Sequence, residues 1–75
     1  MASKRTQQLV VCVENGDFPA SLEKRKIYVA LADREAEKQS LIRVIDESGE
    51  DYLYPKSLFR AIALPQSVRR AVLAA

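Results

Sequence analysis

A mainly β fold is predicted for this chain: five short strands forming a small barrel or sandwich, followed by a short C-terminal helix. Three observations predict it. Five runs rich in β-branched and aromatic residues follow one another at close spacing. Polar segments separate them, and two of these hold the only glycines, Gly16 and Gly49. Only the stretch after Pro65 repeats its apolar residues at helical spacing. Closing such a sheet would also remove the exposed strand edges that invite aggregation.

Taken in order, residues 1–8 are polar and are expected to be flexible, and LVVCVE (9–14) reads as the first strand. Asn15-Gly16-Asp17 ends it, since Asn and Gly tolerate the positive φ of a turn. Pro19 excludes a regular element from the next stretch, which reads as a long loop packed down by Phe18 and Leu22. KIYVALA (26–32) is the second strand, with Ile27, Val29 and Leu31 alternating with Tyr28 and Ala30. Asp33 is positioned to cap a single helical turn over the following DREAEKQS segment, too short for an independent helix.

LIRVID (41–46) and DYLY (51–54) form the third and fourth strands. Between them, Asp46-Glu47-Ser48-Gly49 fits a type I turn with a glycine bulge, which makes Glu47-Ser48-Gly49 a three-residue hairpin loop. That register sets Val44 opposite Tyr52 and Ile42 opposite Tyr54, and assigns those four side chains to the core face. Residues 58–64 give the fifth strand. Pro65 opens a helix over 65–75, with Leu64, Val68 and Val72 on one stripe and Arg69 and Arg70 off it, set to cap one open end of the sheet.

The segment Tyr52-Leu53-Tyr54-Pro55-Lys56-Ser57-Leu58-Phe59 resembles the G-Y-[IV]-P-x-N-Y-[VI] segment of SH3 domains. The resemblance implies a five-stranded SH3-like barrel, in which a strand ends at the Pro, a 3₁₀ turn follows, and the last apolar residue opens the final strand. Ser57 and Leu58 replace the family's Asn-Tyr, and the chain has neither Trp nor an A-L-Y-D-Y segment. Those departures argue against a groove for proline-rich peptides, which needs aromatic walls. Residues 20–28 together with RVIDESGEDYLYP (43–55) are also similar to a group of short, uncharacterised bacterial proteins, over roughly residues 10–66. That likeness implies a bacterial cytoplasmic protein and carries no functional residues with it.

Size and composition narrow the function further. Seventy-five residues make one domain, with a small core and little room for a deep cavity. A lone cysteine, Cys12, excludes an internal disulfide framework, and its apolar strand context reads as a small buried hydrophobe. No apolar leader follows the basic N-terminal residues, and no run is long enough to span a membrane. A cytoplasmic protein without a membrane partner is therefore expected.

With no histidine, no Gly-rich phosphate loop and no base beside Cys12, the chain is expected not to be an enzyme and to need no cofactor or small-molecule substrate. Asp46, Glu47, Glu50 and Asp51 lack the spacing of a calcium loop, and read first as the soluble tip of a hairpin, next as an acidic patch for a basic partner. Positive charge lies in Lys24, Arg25 and Lys26, and in Lys56, Arg60, Arg69 and Arg70; no acid follows Asp51. The expected function is protein binding through the acidic tip with Arg69 and Arg70. The alternative is nucleic-acid binding through Lys24, Arg25, Lys26, Lys56 and Arg60, with Tyr28, Tyr52, Tyr54 or Phe59 stacking on bases.

Overall fold

The computed structural model describes residues 7–74; the expected flexibility of the N-terminus falls mostly on residues 1–6, outside the described residues. Five strands, β1 (Gln7–Cys12), β2 (Ile27–Leu31), β3 (Leu41–Ile45), β4 (Asp51–Pro55) and β5 (Phe59–Ala61), form one antiparallel sheet. Its order is β4-β3-β2-β1-β5, so every consecutive strand from β1 to β4 is a neighbour, and β5 returns to the far side of β1. Two helices are added: α1 (Arg34–Lys38) between β2 and β3, and α2 (Gln66–Ala74) at the C-terminal end.

Alternation decides which side of each strand is buried. In β1 the inward residues include Val10 and Cys12, in β2 Tyr28 and Ala30, in β3 Val44, in β4 Tyr54 and in β5 Phe59. Leu22, from the β1–β2 connection, is buried among them, and Phe18 packs edge-on against Tyr54 at 5.0 Å between ring centroids. Tyr54 in turn tilts against Phe59 at 6.3 Å, so the two outermost strands meet through their rings. They do not meet through backbone hydrogen bonds, and the sheet is not closed. The cause is local: Pro55 has no N–H to give, and a 3₁₀ turn (Lys56–Leu58) then carries the chain away from β4.

The β3–β4 hairpin forms as its turn chemistry dictates. Ile42 pairs with Tyr54 and Val44 with Tyr52. The Gly49 N–H donates to the Asp46 carbonyl at 3.0 Å with Gly49 at φ +84°, and the Asp46 N–H donates to the Glu50 carbonyl at 3.1 Å. Asp33 caps α1 by accepting from the Ala36 N–H at 3.1 Å.

The extents of β1 and β5 and the packing of the C-terminal helix differ most from the sequence reading. β1 begins at Gln7 and ends at Cys12, because the N–H groups of Val13 and Glu14 turn to the Leu58 carbonyl and the chain bends there. β5 covers only Phe59–Ala61, since it pairs with β1 over Val10–Cys12 alone. The C-terminal helix does not pack broadly as a cap: Val68 is exposed, Leu64 and Val72 are half-buried, and extensive contact with other elements is absent among the described residues. Its grip on the sheet comes from Arg69, whose guanidinium donates to the Gln7 carbonyl at 2.6 Å.

Candidate functional site

The carboxylates of the β3–β4 hairpin are divided between structural work and exposure. Asp46, only 7% exposed, accepts hydrogen bonds from Ser48 N–H and Oγ on one oxygen and from the Tyr54 hydroxyl on the other. Burial opposes its charge, yet those donors together hold its carboxyl below the ordinary carboxylate range. Glu47 accepts from the Tyr28 hydroxyl at 2.6 Å and pairs with Lys26 at 2.6 Å, and the lysine and tyrosine bonds hold its carboxyl low. The Tyr28 oxygen also receives the Glu23 N–H, while the Glu47 N–H donates to the Ser21 carbonyl. Glu47 therefore staples the hairpin tip to the β1–β2 connection.

Asp51 is held from the opposite face by Arg43, at 2.9 Å, and Arg43 also reaches Asp33 at 2.8 Å. Glu50 stays exposed, and among the described residues its carboxylate accepts only the Tyr52 hydroxyl, at 3.2 Å. Its charge raises the Tyr52 pKa. The four acids are thus not one patch, and the hairpin reading accounts for two of them directly.

The basic residues are dispersed. Lys24 lies 3.8 Å from Glu14; Lys26 has Glu47, and Glu23 at 4.0 Å. Arg25 is exposed with φ +69°, in the turn that enters β2. Lys56 is in the 3₁₀ turn, and Arg60 folds its guanidinium onto the carbonyls of Ser57 and Phe59, its own neighbours. Arg69 is bound to β1 as described above, and Arg70 is exposed on α2. Of the rings offered for stacking, Tyr28, Tyr54 and Phe59 are buried.

Tyr52 corrects the core assignment made from the register. It lies on the expected side of the hairpin but is 50% exposed, because β4 is an outer strand and no described element packs beyond it there. Leu53, on the other face, is 42% exposed. Beside Tyr52 a groove of about 380 Å³ runs between β4 and the β1–β2 connection, with Phe18, Ser21, Asp46, Ser48 and Tyr54 in its walls. Single-strand periodicity cannot reveal this groove, since Phe18 and Ser21 belong to a segment without period. Pro55, closing the last strand of a meander, was the available sign of an open edge.

Cys12 is fully buried and its thiol donates to the Glu14 carbonyl at 3.1 Å; burial raises its pKa, as befits an inert core thiol. Among the described residues no group of three or more His, Cys, Asp or Glu is placed to hold a metal ion, and no helix is long and apolar enough to cross a membrane. No protein-family model, curated protein or solved structure matches the chain.

Proposed function

We propose that the protein is a non-catalytic binding module for another protein, built on an SH3-like, partly open barrel. The strand order supports the fold reading, and so does the local sequence of events at its end: β4 stops at Pro55, one 3₁₀ turn follows, and Phe59 opens β5. The observation that carries the functional reading is the outer strand β4, where exposed Tyr52 and Leu53 flank an aromatic-walled groove. Large apolar side chains exposed at the border of a concavity, here one on each face of β4, are features of interaction surfaces. The earlier candidates Asp46 and Glu47 enter as the frame of this site, and Glu50 as its charged rim. Arg69 and Arg70 are left out of it.

Nucleic acid is the competing ligand. It finds little support, because Lys24 and Lys26 already have acidic partners and the one exposed stacking ring, Tyr52, sits beside the Glu50 carboxylate. A reducing cytoplasm is the proposed setting, in keeping with the buried free thiol of Cys12.

Affinity capture from a nuclease-treated bacterial lysate tests this. The expected result is a stoichiometric protein retained by the wild type and lost from a Tyr52→Ser, Leu53→Ser variant. Retention by that variant, or a nucleic-acid ligand lost on changing Lys24, Arg25 and Lys26 to Ala, would overturn the reading.

A further inference from the structure

The backbone of β4 faces in two directions. Asp46 and Glu50 form the hydrogen-bonded pair that closes the hairpin, and antiparallel ladders alternate hydrogen-bonded with non-hydrogen-bonded pairs. The pairs Val44–Tyr52 and Ile42–Tyr54 are therefore the bonded ones. The N–H and C=O groups of Asp51 and Leu53 point the other way, out from the sheet, where no further strand lies among the described residues. Pro55 stops this edge at one end and the bulge at Gly49 at the other.

Natural sheets usually blunt such an edge with a cation, a proline or a covering segment. The opposite edge is blunted: β5 has three residues, and Arg60 folds over the Phe59 carbonyl. On β4 there is no outward cation, because Arg43 is on β3 and is held by Asp33 and Asp51.

The charge on the groove side is also lopsided. Asp46 and Glu50 are directly opposed across the hairpin, a mildly unfavourable placement for like charges. Among the described residues neither has a cation, whereas Glu14, Glu47 and Asp51 each do. Asp46 lines the groove together with Phe18 and Tyr52, and Glu50 reaches the Tyr52 hydroxyl. Rings and carboxylates together suit the apolar stem and charged head of a lysine or arginine.

We propose that an extended segment of the partner protein, alternating basic and apolar residues, adds to the outer edge of β4, placing a basic side chain in the groove beside Tyr52 and apolar ones beside Leu53. Backbone hydrogen bonds to Asp51 and Leu53 hold the segment, and its alternation supplies the selectivity, as in other strand-addition complexes. This rests on the protein-binding reading above.

The probe is an N-acetylated, C-amidated pentapeptide, Val-Arg-Val-Arg-Val, titrated into the isotope-labelled protein while backbone amide resonances are followed. Residues of the added strand whose backbone faces β4 are the valines. The expected result is shifts at the amides of Asp51 and Leu53, with affinity falling about tenfold on N-methylation of the valines, as the loss of about two hydrogen bonds implies. N-methylation of the arginines should cost no more than about twofold, Glu50→Gln should weaken binding about threefold, and Val-Glu-Val-Glu-Val should not bind. Equal losses from both methylations, equal binding of the acidic peptide, or no shift at Asp51 and Leu53 would overturn strand addition. Those outcomes leave the protein-binding reading standing if lysate capture still depends on Tyr52 and Leu53.

Discussion

At the scale of single residues, two tyrosine–carboxylate bonds fix the hairpin, one bracing it internally and the other tying it to β2. Tyr54 reaches Asp46 from inside the core and Tyr28 reaches Glu47 from β2. Replacing Tyr54 by Ala should remove the ring that bridges Phe18 and Phe59 and cost about 3–5 kcal/mol, measured by urea unfolding; a loss under about 1 kcal/mol would contradict its place in the core. The same bonds set the response to acid. Both carboxyls have folded pKa values below their unfolded ones, so the unfolded chain binds protons first as pH falls. The stabilisation is complete above the unfolded carboxylate range, about pH 4–5, and is lost as pH falls through the folded values. Urea midpoints should therefore drop between pH 6 and pH 3, and the Asp46→Asn, Glu47→Gln variant should show a flatter profile. An unchanged slope would mean that these two acids do not control acid stability.

Among the elements, the β3–β4 hairpin was the most legible in the sequence, and the reason is physical. Its register depends on a four-residue turn code and on alternation, both of which are local. Gly49 holds φ +84° with open space where a Cβ would stand, so a Gly49→Ala change is disfavoured by the backbone alone. About 1 kcal/mol of destabilisation is expected, with the hairpin register kept; a neutral or stabilising effect in urea unfolding would show that the turn relaxes. The cap of α1 by Asp33 was readable for the same local reason. The lengths of β1 and β5 were not, because each stops where its partner bends or ends. Nor was the packing of α2, whose apolar stripe is real in sequence but only partly covered. Arg69, set off that stripe by its position, makes the contact instead.

For the molecule as a whole, the mainly β class followed from the pattern of runs and turns, while sheet closure depends on whether two distant edges meet. Here β4 and β5 approach through Tyr54 and Phe59 yet share no ladder, which leaves one edge open and accounts for the exposure of Tyr52. Charge counts alone could not show how the acids are distributed in the fold. Four acids are clustered in sequence, but folding gives Glu47 to Lys26, Asp51 to Arg43 and Asp46 to Tyr54, leaving Glu50 exposed with the Tyr52 hydroxyl as its partner, beside a groove whose other wall comes from the β1–β2 connection. Amide hydrogen exchange of the isolated protein, read residue by residue along β4, tests the open edge most directly. Fast exchange at Asp51 and Leu53 beside protected Tyr52 and Tyr54 is the predicted result; protection of all four would contradict it, showing that the edge is already covered.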